Sequence, residues 1–287
     1  MPNENINLDT YAEKTWCPGC GNFGIMSALK NVITLLINEG TKKEDIVVVS
    51  GIGCSSKIID YLNLNTFSSL HGRPISSAQG IKIGNPNLKV IVCAGDGGTY
   101  NEGISHLLHV AKRNIDITVL VHNNRTFALT TGQFTATSPQ KFKGKSTPKG
   151  SVEKPINPLE IVLAANGTFV ARGYSMKLKH LEGLILKGIK HQGFSFIDIL
   201  QPCVSFFDTS DFYKDRIYEL EENNLSSYQE ALNKIREWDY NTSSDSPIPI
   251  GMFYKVDEPT YLPKNLKDLN FYNEKKVDLD KFLKENH

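Results

Sequence analysis

The chain has no run of roughly 18 apolar residues, the length a membrane-spanning helix needs, so no such helix is expected. Its opening, MPNENINLDTYAEK, lacks the basic and then apolar layout of a secretory signal, and a cytoplasmic protein is expected. An excess of either charge is missing too. The 32 Lys and Arg residues against 31 Asp and Glu leave a formal net charge of +1, which gives no bulk attraction to nucleic acid or to an anionic membrane. Neither is expected as a partner. Cysteine is scarce, with five residues in a chain of 287. An odd and small number does not make a disulfide framework, and a reducing compartment keeps such residues as thiols or metal ligands. Also absent is a G-x-G-x-x-G with a downstream acidic residue at a first strand-to-helix turn, which excludes the usual dinucleotide fingerprint.

What is present alternates. The segment 24–40, GIMSALKNVITLLINEG, has apolar residues at helical spacing and ends on Gly40. DIVVVSGIGCSSKIIDYL (45–62) reads as a short buried strand, a glycine-rich turn and a helix start. KVIVCAGDGGTYNEGISHLLHVAKRN (89–114) repeats that order, and DITVLVHNN (116–124) is the next strand. Further on, NPLEIVLAANG and SMKLKHLEGLILKGIKHQG read as helices, TFVARGY and FSFIDILQPC as strands. Near-continuous apolar strands alternating with helices predict an α/β fold, a mostly parallel sheet with helices on both faces. One main domain is expected over 1–205, with 206–287 as a C-terminal extension packed on the core or on a partner subunit. The stretch 131–158, rich in Pro, Gly, Ser, Thr and Lys, reads as a long loop of functional or mobile character.

The turn GDGG (95–98) leaves one buried strand, and Asn123 with Asn124 ends the next. Adjacent strand ends at the carboxyl edge of a parallel sheet form the ligand crevice. Gly95, Gly97 and Gly98 let backbone amides approach a phosphate, while Asp96 and Asn124 supply hard oxygen ligands for Mg²⁺. A bare G-D-G is a common turn. Followed by one helix, one strand and N-N, it resembles the thiamine diphosphate motif, which adds the backbone carbonyl of Thr126 as a third metal ligand.

Four cysteines lie in loops that such a sheet can gather at one edge: Cys17 and Cys20 in TWCPGCGN, Cys54 after SGIG, and Cys203 after LQP. Cys93 lies inside a strand and reads as a small buried hydrophobe. Four thiolates suit a structural zinc ion or an iron-sulfur cluster. One C-x-x-C pair with two single, distant partners leans away from the paired spacing of zinc sites, and a thioredoxin-type C-P-G-C would need a strand before it that NLDTYAEKTW does not offer.

Taken in order, TWCPGCGN, SGIGCSSKI, LHGRPISSAQGIK, GDGGTYNEGISHLLHVAKRNIDITVLVHNN, FALTTGQ and LQPCVSF resemble the β subunit of 2-oxoacid:ferredoxin oxidoreductases, with IPIGMFYK echoing the family's tail. The resemblance implies an enzyme that oxidatively decarboxylates a 2-oxoacid, passes the acyl group to coenzyme A and gives electrons singly to ferredoxin. It assigns Cys17, Cys20, Cys54 and Cys203 to a 4Fe-4S cluster, and Asp96, Asn124 and Thr126 to the Mg²⁺ that holds the diphosphate. Gly53, Ser55 and Ser56 would add cofactor contacts from the Cys54 loop. Lys57 is a candidate for pairing with a substrate carboxylate, His71 for polarising the keto oxygen, Arg73 for binding a carboxylate or phosphate, and Leu129 for shaping the substrate pocket. The lysines at 141, 143, 145 and 149 are either a solvated run or an attraction for coenzyme A or ferredoxin. Glu102 lies near the diphosphate motif, and the resemblance implies that the glutamate that activates the aminopyrimidine ring comes from another chain. An α subunit is expected to supply it, in an αβ or (αβ)2 assembly. Two alternatives remain: a non-redox thiamine decarboxylase or transketolase-like subunit, and a zinc-stabilised binding subunit without catalysis.

Overall fold

In the computed structural model, residues 6–221, 224–240 and 245–261 are described. The expected extension beyond 261 lies outside them.

The first helix, α1 (Asn22–Asn38), starts two residues after Cys20 and ends where Gly40 takes a φ of +102°. Ile25, Leu29, Val32, Ile33 and Leu36 form its buried stripe, and each such side chain contributes about 1.5–3 kcal/mol of burial. A Cβ on Gly24 would lie 2.2 Å from the Ser175 carbonyl oxygen. Only glycine therefore lets the first turn of α1, and the cysteine turn before it, sit against the chain that leaves the sheet at Ser175.

Strand β1 (Ile46–Ser50) is buried throughout. A 3-10 helix (Ser55–Tyr61) follows in place of the helix start read from the sequence, and then an exposed edge strand, β2 (Asn65–Ser68), which the apolar pattern does not announce. After α2 (Pro74–Gly84) come β3 (Lys89–Gly95), a π-helical turn (Gly97–Glu102), α3 (Ile104–Lys112) and β4 (Thr118–Asn123). A π turn widens the helix start, and such bulges recur at functional sites. A short hairpin, β5 (Thr126–Phe127) and β6 (Gln133–Phe134), precedes α4 (Pro158–Ala164), β7 (Phe169–Tyr174), α5 (Leu178–Lys190) and β8 (Ser195–Leu200). The last described elements are α6 (Ser210–Lys214), β9 (Ile217–Glu219), α7 (Tyr228–Ile235) and β10 (Ile248–Lys255).

Eight strands form one sheet in the order β2-β1-β3-β4-β8-β7-β10-β9. From β2 to β7 all pairs are parallel; β10 runs antiparallel to β7, and β9 parallel to β10. The α/β architecture with a mostly parallel sheet is thus present. Successive side chains of each central strand enter opposite cores. Val48, Ile91, Cys93, Leu120 and Ile197 face α1 and α5, whereas Val47, Val49, Val92, Val119 and Phe196 face α2, α3 and α4. A third apolar cluster, with Tyr174, Tyr213, Trp238, Tyr240 and Ile250, joins the segment after residue 206 to the sheet.

Candidate active site

The loops after β1, β3, β4 and β8 all leave the carboxyl edge of the sheet, and together they line a cleft of about 210 Å³. Its walls include Gly53, Cys54, Ser55, His71, Gly95, Asp96, Gly97, Gly98, Asn124, Thr126 and Leu129. Most of the residues singled out in the sequence meet here. Ser56 is buried beside them with its hydroxyl unpartnered, but is not on the wall.

Asp96 is 1% exposed. Burial pushes its carboxyl up from 3.8 to about 7, and the Asp198 carboxylate adds to the push. Two hydroxyls oppose it: Thr135 Oγ1 donates to Asp96 Oδ2 at 2.6 Å, and Thr137 Oγ1 lies 3.2 Å from the same oxygen. Thr137 Oγ1 also lies 2.9 Å from Asn123 Oδ1, so its one proton serves a single acceptor at a time. The carboxylate is therefore only partly compensated, as a buried ligand awaiting a cation would be. Asn124 Oδ1 accepts from the Thr126 backbone N–H at 3.1 Å, which holds the amide oxygen beside that residue. A carboxylate, an amide oxygen and a backbone carbonyl are a donor set that fits Mg²⁺.

Thr135 and Thr137 belong to the stretch 131–158. That stretch is folded against the site: Ile156 N–H donates to the Ala136 carbonyl, Ser151 N–H to that of Phe142, and Ser138 Oγ to that of Arg125. The sequence reads this stretch as a loop of functional or mobile character and does not single out these hydroxyls, because nothing local distinguishes them among its many Ser and Thr residues.

Not every glycine of GDGG serves the cleft directly. A Cβ on Gly97 would come within 2.1 Å of Phe127 Cε1, so Gly97 makes room for the ring that forms one wall. A Cβ on Gly98 would meet His71 Cε1 at 3.5 Å, an ordinary contact that narrows the opening.

A second pocket opens on the same edge. Cys17, Cys20, Cys54 and Cys203 all line it, and Cys54, Asn124, Ala128, Leu129 and Gln201 are shared with the first cleft. Burial pushes the Cys54 thiol up to about 11, with the Cys20, Cys203 and Cys17 sulfurs adding and Lys57 opposing. Cys20 is raised by burial and by the Cys203 and Cys17 sulfurs. The four thiols therefore interact across one space. Ser205 Oγ donates to Cys17 Sγ at 3.2 Å, and Asn22 Nδ2 to Cys20 Sγ at 3.5 Å. Among the described residues, no three His, Cys, Asp or Glu side chains converge to hold one metal ion. A four-iron cluster does not ask that of them, because each iron takes a single thiolate. Cys93 stands apart in β3, fully buried, its thiol pushed up to about 12.

The remaining predicted residues have other neighbours. Lys57 lines the cysteine pocket rather than the first cleft, with Nζ donating to Thr15 Oγ1 at 2.9 Å. His71 is at the mouth of the first cleft, with Nε2 3.1 Å from Glu102 Oε2. Leu129 is 48% exposed and borders both pockets. Arg73 precedes α2, is exposed, and lines neither pocket. His122, in β4 immediately before the asparagine pair, was not singled out by the sequence, yet it lines the first cleft.

Known proteins are similar to this chain in sequence and fold. Residues 51–199 match the family described as thiamine pyrophosphate enzyme, C-terminal TPP binding domain, and residues 203–270 match the C-terminal family of the pyruvate ferredoxin oxidoreductase beta subunit. Fold and cleft thus define a thiamine diphosphate-binding α/β protein. The chain is 42% identical over 253 residues to 2-oxoacid:ferredoxin oxidoreductase 1, subunit beta, of Aeropyrum pernix, covering 83% of this chain and 77% of that one. It is 39% identical over 296 residues to the corresponding subunit of Saccharolobus solfataricus, covering 94% and 95%. The solved 2-oxoglutarate:ferredoxin oxidoreductase from Magnetococcus marinus, with 2-oxoglutarate, coenzyme A and succinyl-CoA bound, superposes with a TM-score of 0.85 at 30% identity, over 99% of this chain and 97% of that one. The chain belongs to the β subunits of 2-oxoacid:ferredoxin oxidoreductases, and is an enzyme subunit.

Proposed function

We propose that this β subunit, joined to an α subunit in an αβ or (αβ)2 complex, carries out coenzyme A-dependent oxidative decarboxylation of a 2-oxoacid. The products are acyl-CoA and CO2, and the electrons leave through a 4Fe-4S cluster to ferredoxin. The observation that carries this is the shared wall: the Asp96 cleft and the four-cysteine pocket have Cys54, Asn124, Ala128, Leu129 and Gln201 in common. Thiamine diphosphate, when bound, supplies the carbon nucleophile and the electron sink for decarboxylation. A cluster held by the four cysteines would share lining residues with that cofactor, which supports its role as the electron acceptor.

This chain's residues would do the holding. Asp96, Asn124 and the Thr126 carbonyl would bind Mg²⁺, with Gly98 leaving room for the diphosphate. Cys17, Cys20, Cys54 and Cys203 would each hold one iron. His71, oriented by Glu102, would meet the substrate's polar end, and Leu129 its side chain. Lys57 beside Cys54 would offset the negative charge of the thiolate cluster, a role nearer to its position than pairing with substrate. Glu102 is engaged with His71 at the mouth, which supports a partner source for the aminopyrimidine-activating glutamate. Exposed Ile52, Leu70, Leu129 and Phe206 near the pocket mouths suit burial under that α subunit. Among the described residues no helix is long and apolar enough to cross a membrane, and oxygen-sensitive thiolate-held iron suits a reducing, cytoplasmic setting.

The test is an anaerobic assay of the αβ complex. It should be brown, contain iron and acid-labile sulfide, and reduce a low-potential dye only with a 2-oxoacid and coenzyme A together. A colourless complex containing zinc and no iron, or one that decarboxylates without reducing the dye, would overturn the proposal.

A further inference from the structure

Hydrogen bonds cross the wall between the two pockets. Cys20 receives two side-chain amide groups, Asn22 Nδ2 at 3.5 Å and Gln201 Nε2 at 3.6 Å. Both residues are 1% exposed, so bulk water does not compete for these contacts. A thiolate has no proton to give, so with Cys20 as a cluster ligand both amides must turn N–H groups toward it. That fixes the next link. Asn22 Oδ1 then faces His122 Nδ1 at 2.7 Å as an acceptor, which places the imidazole proton on Nδ1. His122 Nε2 is left as a bare acceptor. It is buried and without a partner, as is Gln201 Oε1, and both residues line the cofactor cleft.

We propose that Asn22, Gln201 and His122 are positioning residues forming a hydrogen-bonded bridge that sets the reduction potential of the cluster and makes it respond to filling of the cofactor cleft. The inference rests on the cluster and thiamine diphosphate assignments above. N–H groups aimed at a ligating sulfur stabilise the more negative, reduced cluster and so raise its potential. A cleft occupant that donates to His122 Nε2 or Gln201 Oε1 polarises the same groups and strengthens their donation to Cys20. Filling the cleft should therefore raise the potential further.

The test is a redox titration of the cluster, monitored by electron paramagnetic resonance, on anaerobically purified αβ complex stripped of cofactor and then given thiamine diphosphate with Mg²⁺. Gln201→Met and Asn22→Asp should each shift the midpoint potential to more negative values while iron content and signal shape stay as in the wild type. Asn22→Asp keeps the side-chain shape and the acceptor toward His122 but adds a charge that lowers the potential by itself, so the shift in the uncharged Gln201→Met variant is the one that reports the lost donation. Addition of thiamine diphosphate should raise the wild-type potential, and His122→Phe should lose that response. Iron-replete variants with the wild-type potential, together with no response to thiamine diphosphate in the wild type, would overturn the bridge and leave the cluster assignment standing. A wild-type complex without iron would overturn the cluster assignment itself.

Discussion

Thr135 Oγ1 donates a 2.6 Å hydrogen bond to Asp96 Oδ2 from a position 39 residues further along the chain. It is the stronger of the two hydroxyl contacts that offset the buried carboxylate. Thr135→Val should weaken retention of thiamine diphosphate and Mg²⁺ by about 1.5–3 kcal/mol, the usual worth of a hydrogen bond to a charged group. Thr135→Ser should bind nearly as the wild type does. Titration calorimetry with both variants checks this, and equal binding by Thr135→Val and the wild type would remove the role.

With Asp96 as a Mg²⁺ ligand, its raised carboxyl should make metal binding pH-dependent. In the metal-free protein its value is about 7 rather than 3.8, so at pH values between these the folded chain holds a proton that the unfolded chain has released. Its contribution to stability falls as pH rises through that window. Mg²⁺ must displace the proton, so Mg²⁺-dependent cofactor affinity should climb with pH up to about 7 and level off above it. Affinity measured from pH 5.5 to 8.5, a range chosen to bracket roughly that value, would show no such bend if the carboxylate were already ionised throughout.

Cysteine substitutions separate structural from ligating thiols. Cys203→Ser should lower iron content and bleach the visible absorbance. Cys93→Ser, in the β3 core, should keep its iron while costing about 1–3 kcal/mol of stability for a buried hydroxyl. Iron analysis beside thermal denaturation distinguishes them; equal iron loss in both would undo the choice of four ligands from five.

Gly97→Ala should act through Phe127. With its Cβ 2.1 Å from the ring carbon, the substitution forces the ring aside at a cost of about 1–3 kcal/mol and weakens cofactor binding. Phe127→Leu in the same chain should restore much of the stability. Failure of that rescue would mean that the glycine serves the backbone of the π turn instead.

How far the sequence speaks for itself differs from element to element. Near-continuous apolar runs such as IVVVS and KVIVCAG have one reading as buried parallel strands, and β1 and β3 are there. The edge strand β2 has every side chain exposed and so leaves no hydrophobic period to read. The glycine turn expected between β3 and the next helix is a π turn, Gly97–Glu102, packed closely on Gly72, a contact from a distant loop that no local pattern announces.

The sequence by itself pointed to a thiamine diphosphate-binding domain, because G-D-G followed by a helix, a strand and N-N sets a glycine turn and hard oxygen ligands at adjacent strand ends of a parallel sheet. It also determined the α/β layering, through the period and length of the apolar runs. Only the tertiary structure decided which polar groups answer one another. Thr135 reaches Asp96, Gln201 reaches Cys20, and His122 reaches Asn22 across 100 positions. Such pairings depend on which strand ends lie side by side, and no local pattern carries that information. The C-P-G-C turn ends as one wall of a pocket shared with the cofactor cleft because Gly24 lets α1 close on Ser175.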